Sequence, residues 1–201
     1  MVTKTNRVGR KRFLEVAEEL FTAHGYRSVS IREIAQKCQV TNAALYYHFP
    51  SKEALYHEVL EYHANNLIER MQQAAREALS PRQKAEAMLI EYAKISFGRR
   101  SPFLQNRDNA PTIKQNEVPK EFTVKMVHTL LQPLDDIISQ AITDGELKPL
   151  PKGNSPAALL VGMLHGQMQY KRICQSSEVD EQDIYLVVDI YWKGLEHKKN
   201  S

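Results

Sequence analysis

Between Ser30 and Glu53 the chain carries hydrogen-bonding side chains that suit a nucleic-acid duplex: Arg32, Thr41, Asn42, Tyr46, Tyr47, His48 and Lys52. Arg32 offers a planar fork for a phosphate or for the two acceptors on a guanine edge, Asn42 can pair with adenine, and the Ala43 methyl can meet a thymine methyl. The competing reading of Arg32 is a surface ion pair with Glu33. Tyr46 and Tyr47 hold hydroxyls on rigid arms, and His48 adds an imidazole N–H. Tyr47 has a second reading, because its helical spacing from Ala43 and Ala44 also suits a core ring. Lys52 stands at a helix start, where its charge opposes the helix dipole. That is a poor choice for stability and a sensible one for holding a phosphate. Upstream, Arg10, Lys11 and Arg12 open a helix, and with Lys4 and Arg7 they make a basic arm that can cross the backbone or enter the minor groove. Lys4 suits a solubilising tail equally well.

These groups need rigid carriers, and the local spacing supplies them. Ser30 and Glu33 have the spacing of a capping box. Ile31, Ile34, Ala35 and Cys38 then recur as one apolar helical face. The chain must turn around Gln39, and Thr41 is placed to cap the next helix, from Asn42 to His48. That helix spends Leu45 on packing, and Phe49 after it reads as core. Pro50 ends it, because the residue before a proline avoids the helical region. Ser51 caps the helix that follows. Two helices joined by a turn of a few residues make a helix-turn-helix, whose second helix enters the major groove. Charge follows the same division. Residues 1–52 hold nine Lys and Arg against four acids, while the rest holds eighteen against twenty. A basic head on a mildly acidic body suits a phosphate-binding module joined to something else.

Four short runs, AHGY at 23–26, SIREIA at 30–35, CQVT at 38–41 and LYYHFPSKEAL at 45–55, resemble the N-terminal pattern of the TetR family of bacterial transcriptional regulators. The resemblance is strong over residues 7–60 and extends weakly through DGEL at 144–147 and WKGL at 192–195. Gln39 departs from it, standing where the family usually has glycine. A left-handed backbone costs glycine nothing and glutamine something. The resemblance implies an all-α fold with an N-terminal three-helix helix-turn-helix DNA-binding domain at 1–50. A linker helix would join it to a helical ligand-binding and dimerisation domain at 51–201. It further implies a sequence-specific repressor that binds a pseudo-palindromic double-stranded DNA operator as a homodimer and is released by a small molecule. Arg32 is a DNA contact by the same resemblance, and Tyr46, Tyr47, His48 and Lys52 chiefly hold phosphates.

The remaining chain reads as helix almost throughout. Helices are predicted over 7–24, 31–38, 42–48, from Ser51 to Leu79, and over 82–98, 120–144, 156–175 and 180–197. The sixth should be interrupted or bent near Pro133. Residues 98–119 read as loop with short helical pieces, and 144–156 as a turn-rich, strand-free link. The last two helices, 156–175 and 180–197, carry apolar faces that one monomer would not cover, with Gly162 and Gly166 permitting close approach. They are the expected homodimer interface. Tyr92, Phe97, Phe122, Met126, His165 and Gln169, with Phe103, Met168 and Tyr170, are candidate walls of an effector pocket. Ordinary core is the alternative for each. His165 leads, because a buried imidazole needs a partner that a ligand could supply. Arg99 and Arg100 suit an anionic ligand or plain solvent.

Other chemistries find little support. The chain has no GxSxG, P-loop, HExxH or paired CxxC, so no catalytic residue, cofactor or metal site is expected. His57 and Glu61 share a helix face, but two candidate ligands do not make a site. Cys38 lies on a buried face, where oxidation would disturb the motif, although buried thiols are usually inert. Two cysteines in all suggest a reducing compartment, and no stretch suits a membrane span or a secretory signal. The expected location is the cytoplasm. A rival reading is a helical ligand-binding module whose helix-turn-helix no longer binds DNA, with Gln39 as its support.

Overall fold

The computed structural model describes residues 9–97, 119–174 and 180–197, and capping, proline placement and apolar periodicity divide these described residues into eight helices. They are α1 (Arg10–His24), α2 (Ile31–Lys37), α3 (Asn42–His48), α4 (Lys52–Ala74), α5 (Pro81–Ser96), α6 (Lys120–Thr143), α7 (Pro156–Cys174) and α8 (Glu181–Leu195). The described residues form two compact units: 9–64 with 119–123, and 65–97 with 124–174 and 180–197. Lys4, Arg7, Arg99, Arg100 and Phe103 lie outside the described residues.

In the first unit α1 packs on α2 and α2 on α3. Phe13, Val16, Ala17 and Phe21 form the buried stripe of α1, and Gly25 stops that helix at φ 79°. Phe13 meets Phe49 edge-on at 6.2 Å between ring centres, and Phe21 meets Tyr56 at 5.3 Å. His63 on α4 lies 2.5 Å from a carboxylate oxygen of Glu18 on α1.

The second unit closes around Leu67, Met71, Met88, Leu89, Leu134, Ile138, Leu160, Leu164, Val188 and Trp192. Helix α4 ends at Ala74, short of the predicted Leu79. Its apolar pattern continues, but the next helix claims the backbone first. Pro81 forces Ser80 into an extended conformation, Ser80 and Gln83 form a capping box, and Gln83 also accepts the Leu79 N–H. Pro133 does not interrupt α6. The helix runs unbroken because Leu134, Ile138 and Ala141 hold its buried face on the core. The stretch after α6 holds no strand, as predicted, and only an isolated antiparallel bridge ties Leu147 to Glu196.

Helix α7 starts on a borrowed cap. The Asp135 carboxylate, from the middle of α6, accepts the Ser155 hydroxyl at 2.9–3.0 Å and the Ala157 N–H at 2.8 Å. The Tyr191 hydroxyl of α8 donates to the Pro156 carbonyl at 3.1 Å. Burial, with the Asp135 charge nearby, pushes that phenol up to about 12. Between α7 and α8, Lys171 pairs with the buried Asp183, which also accepts from Gln167 at 3.2 Å. No helix among the described residues is long and apolar enough to cross a membrane.

Losing a helix cap typically costs about 1 kcal/mol, and losing a partly buried hydrogen-bonding group costs a similar amount. Asp135→Ala should therefore lower unfolding free energy by about 1–2 kcal/mol, read from the urea midpoint. The exposed neighbour change Asp136→Ala should stay within about 0.5 kcal/mol.

Candidate nucleic-acid interface

The interface is built outward from α2. Ser30 Oγ accepts the Glu33 N–H at 3.2 Å, and Glu33 returns an acceptor to the Ser30 N–H at 2.6 Å. The backbone bond and the Ser30 hydroxyl hold the Glu33 carboxyl below its ordinary value. Ile31, Ile34 and Ala35 are buried, and Cys38 closes that face. Burial pushes the Cys38 thiol up, which favours the inert reading of this cysteine.

The turn is a left-handed helix stop with glutamine in the glycine place. Gln39 has φ 59°, the one positive φ outside glycine among the described residues. Its N–H bonds the Gln36 carbonyl at 3.0 Å, and the Val40 N–H bonds Ala35 at 3.0 Å. This pair of bonds is the Schellman arrangement. The departure seen in the sequence thus reaches the backbone as a steric cost, while the turn itself survives.

Helix α3 then turns nearly every side chain outward. Thr41 Oγ1 accepts the Ala44 N–H at 3.2 Å and caps the helix, leaving the hydroxyl proton to donate elsewhere. Thr41, Asn42 and Ala43 are exposed, and only Leu45 within α3 is buried. Tyr46 is 50% exposed and Tyr47 87%. The core reading of Tyr47 is therefore overturned: its position on this two-turn helix faces solvent. Phe49 is fully buried, as its sequence position predicts. His48 is half-buried, with its ring 5.2 Å from Phe13 and 5.3 Å from Tyr47.

The cations divide into committed and uncommitted groups. Arg32 is exposed and makes no ion pair among the described residues, since Glu33 is occupied by Ser30. Lys52 lies over the Tyr26 ring at 4.2 Å, beside the α4 cap that Ser51 supplies to the Ala54 N–H at 3.1 Å. Lys37 pairs with Glu19 at 2.8 Å, and Arg12 with Glu15 at 3.6 Å. Arg10 turns inward to Glu58 on α4.

The six effector candidates do not form one pocket. Tyr92 and His165 share a hydrogen bond of 2.6 Å, and Phe97 packs edge-on against His165 at 4.8 Å. His165 itself is exposed, contrary to the buried imidazole expected, because its position on α7 turns away from the core. Phe122 belongs to the other unit, where it stacks on His57 at 4.7 Å. Met126 is half-buried, and Gln169 accepts from Arg172 at 2.8 Å. The structure does contain grooves that the sequence did not indicate. One of about 690 Å³ is lined by Glu69, Arg70, Gln73, Arg76 and Glu91. Another of about 330 Å³ is lined by the apolar Ala75, Met88, Pro133 and Ile137 and by the charged Arg76, Lys84 and Asp136. Their residues come from more than one helix, the first from α4 and α5 and the second from α6 as well, so no signal local to one helix could have found them. Among the described residues no three His, Cys, Asp or Glu side chains are placed to hold a metal ion.

Residues 13–59 match the family described as bacterial regulatory proteins, tetR family. Over 72 residues the chain is 39% identical to the uncharacterized HTH-type transcriptional regulator YuxN of Bacillus subtilis (strain 168), covering 36% of this chain and 25% of that protein. The HTH-type transcriptional repressor KstR2 of Mycolicibacterium smegmatis is 26% identical over 141 residues, 70% of this chain and 68% of that one. The HTH-type transcriptional activator FasR of the same organism is 38% identical over 78 residues, covering 39% of this chain and 36% of that one. The matched stretch thus spans a minority of the length of two of these three relatives. Among solved structures, FadR from Bacillus subtilis in complex with stearoyl-CoA superposes with a TM-score of 0.74 at 15% identity, over 94% of this chain and 100% of that one. A TetR family transcription regulator from Marinobacter aquaeolei VT8 gives a TM-score of 0.67 at 19% identity, over 94% and 96%. At these identities the structural likeness shows the fold.

A left-handed non-glycine residue costs about 1–2 kcal/mol, part of which glycine gives back as unfolded-chain entropy. Gln39→Gly should raise the chemical-denaturation stability by about 0.5–1 kcal/mol, whereas Gln39→Val should lower it. A loss of stability in the glycine variant would show that the glutamine side chain supports the turn.

Proposed function

We propose that this chain, whose residues 13–59 match the family of bacterial regulatory proteins described as tetR, is a dimeric, sequence-specific transcriptional repressor of that family, released from its operator by a small molecule. The observation that carries the reading is the outward face of α3. A seven-residue helix that buries only Leu45 leaves Thr41, Asn42, Ala43, Tyr46 and Tyr47 to solvent, on a rigid three-helix support. Arg32 and Lys52 flank that face and supply charge for phosphates. DNA binding belongs to residues 1–50 in this reading, and effector binding and dimerisation to 51–201. Its place of action is the cytoplasm.

Effector release rests on the shared fold. The FadR structure holds stearoyl-CoA, and here the Tyr92, Phe97 and His165 cluster is the candidate contact for a small molecule. The relatives include both a repressor and an activator by name. Repression is the direction proposed, and a promoter fusion that rises when the protein is deleted would support it.

The homodimer is assigned to 156–175 and 180–197. One face of α8 (Ile184, Val187, Val188, Tyr191 and Trp192) is buried, while Leu186 and Ile190 remain exposed on the other. Leu159, Tyr170 and Ile173 are exposed on α7. A Cβ built on Gly162 or Gly166 meets nothing within 4 Å in the chain itself. A second copy would bury this small-residue and apolar surface, and dimers on two half-sites gain affinity and specificity.

Selection of duplexes from a random pool at near-physiological salt tests the reading. A two-fold-related site bound at least about a thousandfold more tightly than a scrambled duplex is expected. Weak, salt-sensitive binding with no enriched site would instead favour the rival module that no longer reads DNA.

Two substitutions locate the parts. Arg32→Ala should either weaken all sequences and reduce the salt slope by about one, as a phosphate contact, or relax one base position, as a guanine contact. No change in either would remove Arg32 from the interface. Gly166→Leu should convert the dimer to a folded monomer in sedimentation, because the new side chain has room within the chain. An intact dimer would move the interface elsewhere.

A further inference from the structure

We propose that Arg10 is a positioning residue for the recognition helix and not a DNA contact: it locks the C-terminal end of α3 to α4 through Glu58. The inference rests on the reading of α3 as the DNA-reading element. Each nitrogen of the Arg10 guanidinium donates within the chain. Nε donates to Glu58 Oε2 at 3.1 Å, and Nη2 donates to Glu58 Oε1. Nη1 donates to the His48 carbonyl at 3.0 Å, and the guanidinium carbon lies 4.5 Å from the centre of the Phe49 ring.

Each contact has a physical reason. The His48 carbonyl closes α3, where the last carbonyls of a helix lack intrahelical donors and a cation is favoured. The forked pairing with Glu58 needs the planar guanidinium, which holds two carboxylate oxygens at once. The ring below is Phe49, fully buried between Phe13 and the guanidinium. One side chain at the start of α1 therefore fixes where α3 ends relative to α4. The pair is partly exposed, with side-chain exposures of 49% and 33%, so it adds little to overall stability. Its effect falls on the placement of Tyr46, Tyr47 and Asn42, and a site only slightly loosened loses much of its function.

The charge balance separates this role from a phosphate contact. An arginine neutralised by a carboxylate contributes no counterion release when DNA binds, whereas a phosphate contact contributes about 0.9 to the salt slope. Glu58 sharpens the contrast. Removing an acid near DNA should tighten binding if only field strength mattered, and should weaken binding if the acid holds Arg10.

The test uses the full chain and the duplex recovered by selection, with affinity measured across a range of potassium chloride concentrations. Arg10→Met, Arg10→Lys and Glu58→Gln should each weaken binding by about tenfold or more. The salt slope should stay at its native value and the melting temperature should move little. Lysine should not rescue, because an ammonium cannot span Glu58 and the His48 carbonyl together. The double variant Arg10→Met with Glu58→Gln should bind no more weakly than Arg10→Met alone. A phosphate role would show the opposite: Arg10→Lys near native, Glu58→Gln as tight as native or tighter, and a slope reduced by about 0.9 in Arg10→Met. Should Arg10→Met fail to fold, Glu58→Gln and Arg10→Lys decide the question alone. With no duplex selected by the native protein, the reading of α3 fails and the positioning role falls with it.

Discussion

A helix of seven residues that buries a single side chain cannot hold itself in place. Nucleating a short helix is unfavourable in water, and tertiary packing supplies most helical stability. Helix α3 has given almost all of its surface to solvent, so its neighbours must supply its rigidity. The Schellman turn at Gln39 and Val40 fixes how the chain enters, and Thr41 satisfies the first turn. Leu45 and Phe49 anchor the underside, and Arg10 ties down the exit. The capping box and buried face of α2 serve the same end, because α2 is the platform on which α3 rests. The rest of the first unit follows from keeping a nearly unburied helix still.

The second unit meets a different demand. It buries long apolar faces, and the polar groups caught among them must find partners. Asp135 accepts the donors at the start of α7, Tyr191 serves the Pro156 carbonyl, and Lys171 and Gln167 satisfy the buried Asp183. Arg82 reaches from Glu86 on α5 to Asp189 on α8, each at 3.0 Å. Asp135 ties α6 to the start of α7, Lys171 and Gln167 tie α7 to α8, and Arg82 ties α5 to α8 across 107 positions. They fix register where apolar packing alone would permit sliding.

Most of the first unit was legible in the chain because its signals are local. The Ser30 and Glu33 box, the Thr41 cap, Pro50 and the apolar spacing of α2 all act within a few residues, and the helices fall where those signals put them. The orientation of Tyr47 was not legible, since two turns give too little periodicity to decide a face. The end of α4 was hidden by an apolar pattern that runs past it, and only the capping demands of α5 explain the stop. Pro133 read as an interruption or a bend because local rules count the missing donor, and the interruption does not occur because the core holds Leu134, Ile138 and Ala141. Arg10 read as part of a basic arm, because its partner Glu58 lies 48 residues away. The effector candidates fared least well. Tyr92, Phe97 and His165 do meet, but Phe122 sits in the other unit and His165 faces outward.

Trp192 is the chain's only tryptophan, and it lies 3% exposed in the core of the second unit. Its emission, excited apart from the tyrosines, therefore reports the hydrocarbon packing of that core and is blind to the helix-turn-helix. Helical circular dichroism sees both units together. The protein thus carries its own internal control for cooperativity. Coincident emission and dichroism transitions would mean the two units unfold as one, and a dichroic loss that precedes the tryptophan shift would mean the first unit melts alone.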